Sequence, residues 1–253
     1  MKKFIISIDA GTTSNRSILF DLKGKPIYSS QKEFTQYFPK SGWVEHDPEE
    51  IWNTTIKTLQ NVIAKAKKLK GKILSIGITN QRETTILWDK KTGKTVYNAI
   101  VWQDRRTEDY CKKLRKQNED TSIFNKTGLL IDPYFSGTKI KWILDNVSSA
   151  KQLMNKKQLL FGTVDSFLIW KLTKGIIHAT DATNASRTMI YNISSNKWDD
   201  TILKLLKIKK HILPEVKDCA DNYGQTHSSI TGISIPINGV VGDQQSATIG
   251  QCC

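Results

Sequence analysis

Apolar and polar positions along the first third of the chain predict three short strands, a helix and a fourth strand. The three strands span residues 5–9, 16–22 and 27–34, with turn-forming residues between them. The fourth strand, residues 73–79, is almost entirely apolar, which is typical of a strand buried on both faces. The opening order is therefore β-β-β-α-β.

Start and stop signals indicate the bounds of the helix. Asp47 is the expected N-cap, Pro48 the first helical residue, and Glu50 occupies the capping-box position. Apolar residues then recur at helical spacing between positions 51 and 66, and Gly71 is expected to close the helix. The pattern predicts one helix between the third and fourth strands.

Strand and helix patterns continue to alternate through the rest of the chain. Further strands are expected at residues 86–88, 100–102 and 239–243. Helices are expected near residues 104–117, 138–146, 163–173 and 198–207. No repeat, low-complexity tract or linker-like segment interrupts the pattern, so we predict a single α/β domain over residues 1–253.

The composition is that of an ordinary globular protein. At 253 residues, with 38% hydrophobic and 25% charged residues, the chain is long enough for a hydrophobic core without disulfides. No apolar run approaches the ~18 residues of a membrane span, and Asp9 interrupts the apolar stretch that follows the N-terminal lysines. The four cysteines lack C-x-x-C spacing. We therefore expect a cytoplasmic protein without a membrane span.

The net charge of +14 raises the question of a nucleic-acid partner. Of the 38 basic residues, 32 are lysines, whereas proteins that read bases and phosphates rely on the arginine fork. The lysines fall in short runs, at residues 65–72, 112–116 and 204–210, that are typical of solvated helix faces. We expect no nucleic-acid partner.

One candidate phosphate site lies in the first predicted hairpin, although the chain has neither a P-loop nor a dinucleotide-binding glycine pattern. A tight turn at Gly11 would direct successive backbone N–H groups toward an anion, and Arg16 could stabilise a transferred phosphoryl group. Asp9, at the end of the first strand, is placed to hold Mg²⁺ directly or through water. The hydroxyl donors to phosphate oxygens would be Thr12, Thr13 and Ser14. The alternative is a plain hairpin whose hydroxyls bond their own backbone.

Other motifs offer groups that suit a polyol. Arg82 and Glu83 directly follow the buried strand, where a guanidinium donates to hydroxyl groups and a carboxylate accepts from them; the alternative is a surface ion pair. Trp102 could cover the apolar side of a small ligand, or it could be a core tryptophan. Tyr134 offers a phenolic hydroxyl. Asp243, at the end of the last predicted strand, could accept the proton of a substrate hydroxyl.

Eight segments together resemble the glycerol kinases, in the same order and over essentially the whole chain. They are residues 9–16, 42–52, 78–85, 98–107, 132–139, 161–173, 180–189 and 242–251. Glycerol kinases are carbohydrate kinases that share a ribonuclease-H-like core with actin, hexokinase and the Hsp70 ATPase. The resemblance implies that fold here, a mixed β-sheet flanked by helices, and ATP-dependent phosphorylation of glycerol to sn-glycerol 3-phosphate. The sequence Asn-Gln-Arg-Glu at residues 80–83 resembles the glycerol branch rather than xylulose or gluconate kinases.

The resemblance also implies roles for individual residues, with ATP, Mg²⁺ and glycerol as ligands. Asp243 would be the catalytic base, Asp9 would serve the magnesium ion, and Arg16 would act on the nucleotide phosphates. The other phosphate contacts would be Thr12, Thr13 and Ser14. The glycerol contacts would be Arg82, Glu83, Trp102, Tyr134, Asp243 and Gln244.

One departure from the family pattern concerns regulation. Ser234 stands where enterobacterial-type glycerol kinases carry an arginine that binds fructose 1,6-bisphosphate, and the neighbouring Gly-rich run is absent. The resemblance therefore implies a kinase that this inhibitor does not affect.

Glycerol kinases continue beyond the position of Cys253 into a second domain of similar size, which supplies most of the adenosine pocket. The resemblance implies that these residues form the glycerol-side, N-terminal domain, and that this domain is not active alone. The alternatives are an inactive fragment that binds ligands weakly, another polyol or sugar kinase, and an actin-like or Hsp70-like assembly protein, which would not need the polyol residues. The sequence leaves open whether the protein forms a homo-oligomer.

Overall fold

The computed structural model describes residues 2–253, in which strands and helices alternate along the chain. The strands are β1 (Lys2–Ala10), β2 (Ser14–Asp21), β3 (Pro26–Glu33), β4 (Glu45–His46), β5 (Gly71–Asn80), β6 (Ile86–Asp89), β7 (Ala99–Ile100), β8 (Leu159–Gly162), β9 (Ala179–Asp181), β10 (Tyr191–Asn192), β11 (Lys197–Trp198), β12 (Glu215–Lys217) and β13 (Ile237–Gly242). The helices are α1 (Pro48–Lys68), α2 (Glu108–Lys116), α3 (Asp120–Thr127), α4 (Ser136–Asn146), α5 (Ser148–Asn155), α6 (Val164–Leu172), α7 (Ala182–Ala185), α8 (Asp200–Leu205), α9 (Ser228–Thr231) and α10 (Asp243–Gly250), with a 3₁₀ turn at Lys210–Ile212.

The central sheet has five strands in the order β13-β5-β1-β2-β3. The first hairpins make β1, β2 and β3 antiparallel neighbours, and β1, β5 and β13 run parallel to one another. A parallel pair needs a long crossover, which α1 provides between β3 and β5. The sheet is thus mixed and flanked by helices, which confirms the predicted α/β class. The predicted β-β-β-α-β order holds for α1 and the strands of this sheet, whereas the two-residue strand β4 before α1 was not predicted and pairs with β7 outside the sheet.

Two large apolar clusters lie on different parts of the chain. The first joins α1 to the central sheet, and its members include Phe4, Ile6, Ile8, Leu59, Val62, Ile76 and Ile78. The second is built largely from the short helices that follow β7, and its members include Leu114, Ile123, Ile140, Ile143, Met154, Ile202 and Leu206. The sheet therefore has its own core, and the short helices pack around another.

Helix α1 begins as predicted but without a capping box. The Asp47 carboxylate accepts a hydrogen bond from the Glu49 backbone N–H (2.8 Å), which confirms the N-cap. The Glu50 carboxylate instead accepts from the Thr35 backbone N–H and from the Tyr37 hydroxyl, both at 2.8 Å. The capping-box prediction is wrong because these donors occupy Glu50, which ties the preceding loop to the first turn of the helix.

The predicted role of Gly71 is also wrong. Helix α1 ends at Lys68, Lys70 takes the left-handed conformation with φ of 52°, and Gly71 is already the first residue of β5. A Cβ atom at residue 71 would lie 2.1 Å from Cε2 of Phe4. A glycine is needed there because the aromatic ring of the neighbouring strand packs against its Cα.

The remaining predictions differ from the structure mainly in length. The helices expected at 138–146 and 163–173 are α4 and α6, whereas those expected at 104–117 and 198–207 are shorter, as α2 and α8. The expected strand 100–102 shrinks to β7 because residues 101–107 form a loop. The sequence pattern did not predict α3, α5 and β8, which are eight residues long or shorter. Within residues 2–253, no helix is long and apolar enough to cross a bilayer.

Candidate active site

The candidate residues meet at one edge of the central sheet. Strands β1, β5 and β13 are parallel, so their carboxyl ends lie side by side. Asp9 lies near the end of β1, Arg82 follows the end of β5, and Asp243 follows β13 as the first residue of α10. The sheet thus brings together groups that are far apart in sequence.

The first hairpin has the tight turn that the sequence predicts, but not through a left-handed glycine. The Gly11 N–H donates to the Ser14 carbonyl (3.0 Å), and a Cβ atom on Gly11 would lie 3.1 Å from that oxygen. Gly11 is not among the residues with positive φ. Asp9 and Arg16 face each other across the hairpin, with 2.9 Å between Oδ2 of Asp9 and Nη2 of Arg16. The turn needs a glycine because the Ser14 carbonyl oxygen approaches Gly11 so closely, not because of a left-handed backbone conformation.

The hydroxyls of the hairpin bond to other side chains. Oγ1 of Thr12 accepts from the Trp102 indole N–H (3.1 Å), and Oγ of Ser14 accepts from the Gln31 amide (2.8 Å). Thr13 is exposed, and across residues 2–253 none of the three hydroxyls bonds the backbone of its own turn. The plain-hairpin alternative is therefore wrong on this point. A hydroxyl that accepts still has its hydrogen to donate, for example to a phosphate oxygen.

Arg82 is locked at the end of β5. Its side chain is only 4% exposed, and Nε and Nη1 donate to Oδ1 of Asp243 and Oε1 of Gln245, both at 3.2 Å. A Cβ atom on Gly242 would lie 2.4 Å from Cδ of Arg82. The absence of a side chain at residue 242 therefore lets the arginine pass across the end of β13 and reach Asp243.

Glu83 is buried beside a different partner. Glu83 has a left-handed φ of 61° and is 1% exposed. Its Oε1 accepts a hydrogen bond from Nε of Arg187 at 2.6 Å. Burial raises the pKa of the Glu83 carboxyl, and the Arg187 guanidinium acts in the opposite direction. Because Arg82 and Glu83 are buried with separate partners, the surface-ion-pair alternative is wrong.

Trp102 and Tyr134 form an aromatic wall next to these charges. Their ring centroids lie 5.5 Å apart, and Trp102 is partly exposed, which argues against a core tryptophan. The Tyr134 carbonyl accepts from Nζ of Lys139 (2.6 Å), an ammonium that is completely buried in α4. Burial lowers the pKa of Lys139 to about 7. The Arg187 guanidinium lies 5.5 Å from the Tyr134 ring centroid, so one arginine contacts both Glu83 and the aromatic wall.

Asp243 and Gln244 lie at the open side of the site. The side chain of Asp243 is 48% exposed, and its Oδ1 accepts from both Arg82 and the Gln244 backbone N–H (2.8 Å). The Gln244 side chain is exposed. Asp243 therefore presents a carboxylate that is oriented on one side by a buried arginine and reaches solvent on the other.

Arg187 and its neighbours were not among the site residues that the sequence predicts, although residues 180–189 contribute to the family resemblance. Thr183, Asn184 and Arg187 nevertheless bond to residues at or just after the ends of β5 and β13. A signal was available, because Asp181 precedes helix-forming residues as an N-cap does. Such a cap does not reveal which distant strand the segment contacts.

Asp9 suits a magnesium ion only as a contributor. Among residues 2–253, no group of three or more histidine, cysteine, aspartate or glutamate side chains could hold a metal. Mg²⁺ in phosphate-transfer sites typically takes one or two carboxylates together with phosphate oxygens and water. Asp9 can supply one such oxygen, since its Arg16 contact uses only Oδ2.

Comparison with known proteins extends over the whole chain. Residues 4–250 match the FGGY family of carbohydrate kinases, N-terminal domain. A glycerol kinase of Sinorhizobium fredii is 58% identical over 253 residues, which are 100% of this chain and 51% of that protein. The chain spans about half the length of the curated relatives it matches.

Solved structures of carbohydrate kinases also match this chain over nearly its whole length. The crystal structure of Plasmodium falciparum glycerol kinase with ADP matches with a TM-score of 0.95 and 38% identity, covering 99% of this chain and 50% of that one. A gluconate kinase from Lactobacillus acidophilus matches with a TM-score of 0.86 and 26% identity, covering 99% of this chain and 50% of that one. These matches confirm the predicted fold of the actin and hexokinase type. The chain belongs to the FGGY family of carbohydrate kinases.

Proposed function

We propose that this chain is the glycerol-binding half of an ATP-dependent glycerol kinase, which acts together with a second domain of similar size. The observation that carries the proposal is the buried Arg82, which orients the half-exposed carboxylate of Asp243 at the sheet edge. The similarity to glycerol kinases, 58% against the Sinorhizobium fredii protein, supports this choice of substrate. The identity to the gluconate kinase is only 26%.

The chemistry of the site suits a small polyol. Arg82 offers guanidinium hydrogens, and Glu83 and Asp243 offer carboxylate oxygens, so adjacent hydroxyls find both donors and acceptors. The rings of Trp102 and Tyr134 can cover the carbon atoms between those hydroxyls. Gln244 adds an exposed amide at the same edge.

In the proposed mechanism, Asp243 handles the proton of the substrate hydroxyl, and the β1–β2 hairpin binds the phosphates. Asp243 accepts the proton of the terminal hydroxyl as that oxygen bonds to the γ-phosphorus of ATP, while the bond from this phosphorus to the β–γ bridging oxygen breaks and ADP leaves. Arg82 keeps the Asp243 carboxylate in place. On the hairpin, Arg16 and the hydroxyls of Thr12, Thr13 and Ser14 contact the phosphates. A magnesium ion, to which Asp9 would contribute an oxygen, would neutralise phosphate charge when bound.

The isolated chain is proposed to bind glycerol without turning it over. Asp243 and Gln244 reach solvent, and helix α10 has no buried residue. A reaction that transfers a phosphoryl group to an alcohol needs water excluded and the nucleotide held in line. The second domain would provide both, and the purified 253-residue chain should form no glycerol 3-phosphate from ATP.

Binding and kinetics together test the proposal. Glycerol, xylulose and gluconate are titrated into the 253-residue chain by calorimetry. A second signal is the change in tryptophan fluorescence that the wild type shows and Trp102→Phe, which keeps the other six tryptophans, does not. We expect saturable binding of glycerol and weaker binding of the other two. Arg82→Ala should weaken glycerol binding at least ~10-fold, as expected for a lost charged hydrogen bond. The control Lys112→Ala removes an exposed cation that pairs with Asp109 on α2, and it should leave binding unchanged.

Two results would contradict the proposal. One is tighter binding of xylulose or gluconate than of glycerol. The other is a longer chain, containing these residues and a second domain, that folds but does not phosphorylate glycerol in the presence of ATP and Mg²⁺.

A further inference from the structure

We propose that Thr183 is a positioning residue, which sets the place of the Asp243 carboxylate by holding the backbone of Gly242. This inference rests on the proposed function, since it concerns the group that accepts the proton there. Thr183 contacts neither glycerol nor ATP in the proposed mechanism. It acts on the last residue of β13, directly before Asp243.

The Thr183 hydroxyl makes two directed hydrogen bonds. Oγ1 accepts from the Gly242 backbone N–H at 2.8 Å, and its own hydrogen is donated to Oδ2 of Asp181 at 2.5 Å. A hydroxyl whose hydrogen is committed to a carboxylate points its lone pairs in a fixed direction. The Gly242 N–H is therefore held at one position by a rigid acceptor.

Asp181 provides that rigidity. The carboxylate is completely buried and caps α7 by accepting from the backbone N–H groups of Thr183 (2.9 Å) and Asn184 (3.0 Å). It also accepts from the Asn184 side-chain amide (2.8 Å) and from the Cys219 thiol (3.2 Å). With five donors converging on it, the carboxylate has little freedom to turn.

The same cap fixes the neighbouring strand. The side-chain amides of Asn184 and Asn80 donate to each other's oxygens at 3.1 and 2.9 Å, and both residues are completely buried. Asn80 is the last residue of β5, two positions before Arg82. One short helix thus holds the end of β5 through Asn184 and the end of β13 through Thr183.

Two contacts restrict the backbone of Gly242. Thr183 binds its N–H, and the Arg82 side chain packs where its Cβ would lie, 2.4 Å from Cδ of that arginine. Gly242 is also the N-cap residue of α10, with φ of −60° and ψ of 150°, so a shift at Gly242 moves the first helical residue directly. That residue is Asp243.

A matched pair of variants tests the role of Thr183. Thr183→Val keeps the shape but removes the acceptor, whereas Thr183→Ser keeps the hydroxyl. In a kinase chain that carries these residues and a second domain, we expect Thr183→Val to lower kcat by ~10-fold to 100-fold, the range for a small misplacement of a reacting group. The Kd for glycerol should change less than about threefold, and Thr183→Ser should keep near-normal kcat.

The chain itself provides a readout that does not depend on activity. Amide hydrogen exchange at Gly242 should speed up in Thr183→Val and remain slow in Thr183→Ser. A normal kcat in a folded Thr183→Val protein overturns the inference. So does a loss of kcat that Thr183→Ser shares, or one that merely follows the loss of folded protein on heating.

Asp243→Asn separates this inference from the proposed function. If Asp243→Asn retains kcat, the proposed role of Asp243 fails. If Asp243→Asn loses activity but Thr183→Val does not, only the positioning role fails. In the Asp243→Asn background, Thr183→Val should cause little further loss, because both changes act through the same carboxylate.

Discussion

The proposed polyol side and the proposed phosphate side of the candidate site are built in opposite ways. Arg82 and Glu83 are 4% and 1% exposed, and each holds a partner through a charged hydrogen bond. On the hairpin, Arg16 and Asp9 pair with each other while their side chains are 45% and 32% exposed. The difference indicates that charged pairs within this chain fix the proposed polyol side, whereas the charged side chains of the proposed phosphate side remain accessible to a nucleotide.

The largest effect is expected at Asp243, the proposed catalytic base, which Arg82 orients. Asp243→Asn, in a kinase chain that includes a second domain, should lower kcat by ~10²-fold to 10⁴-fold, the usual contribution of a general base. Glycerol binding should change much less, since asparagine still accepts from Arg82. Steady-state kinetics and a thermal melt measure both. A normal kcat would remove Asp243 from the mechanism, and so would a loss that tracks a lower Tm.

A second effect, about one order of magnitude or more, is expected on the polyol side. Arg187→Met removes the guanidinium that opposes the rise in the Glu83 pKa caused by burial, so this pKa should rise further. Glycerol binding to the charged Glu83 carboxylate should then weaken ~10-fold or more. As the pH falls, protonation of Glu83 should abolish this binding, and it should do so at a higher pH in Arg187→Met than in the wild type. Arg187→Lys, which keeps the charge, is the control.

Calorimetric titration of glycerol between pH 5 and 8 gives the answer for Arg187. Glycerol binding that has the same strength and the same pH profile in Arg187→Met and the wild type would show that the Glu83 carboxylate does not depend on its partner.

A smaller and more selective effect is expected on the phosphate side. Ser14→Ala removes one hydroxyl from the proposed phosphate side. Affinity for the nucleotide should therefore fall by less than about tenfold, as expected for the loss of a single neutral hydrogen bond. Glycerol affinity should stay unchanged because Ser14 contacts Gln31 rather than the polyol residues. Separate titrations of ADP and glycerol into a kinase chain that carries these residues and a second domain measure the two affinities. Equal losses for both ligands would show that the two sides are not independent.

The smallest effect is expected from the exposed ion pair of the hairpin. Arg16→Gln should lower the free energy of unfolding by at most about 1 kcal/mol, because partly exposed salt bridges are screened by solvent. The difference from the wild type should shrink further in 1 M salt. Denaturant titration at two salt concentrations tests this. A loss of several kcal/mol would mean that the hairpin is as rigidly built as the polyol side.

The sequence predicts those parts of the molecule whose causes are local. The helical repeat and the Asp47 cap lie within α1, and Arg82 and Asp243 follow apolar strands, so both could be placed near the ends of strands before the structure was known. Glu50 fails as a capping-box residue because Thr35 and Tyr37, more than a dozen positions away, compete for its carboxylate.

The missed part of the site depends on long-range contacts. Glu83 and Arg187 are 104 positions apart, and no periodicity along the chain encodes their pairing. The same holds for Thr183, which finds Gly242 only after β13 has joined the sheet. A helix of four residues, such as α7, also lacks the length that a hydrophobic repeat needs to be recognised.

The position of β13 in the sheet has a consequence for how the protein is made. In the sheet, β5 lies between β1 and β13. Of the five sheet strands, β13 is the last to leave the ribosome, about 160 residues after β5. At usual rates of synthesis this delay is roughly 8–30 s. During that time the apolar β5 has one edge of unpaired backbone groups, which other chains can join. Aggregation of nascent chains should therefore be most sensitive to changes in residues 71–80. The site itself can form only after β13 and Asp243 have been synthesised.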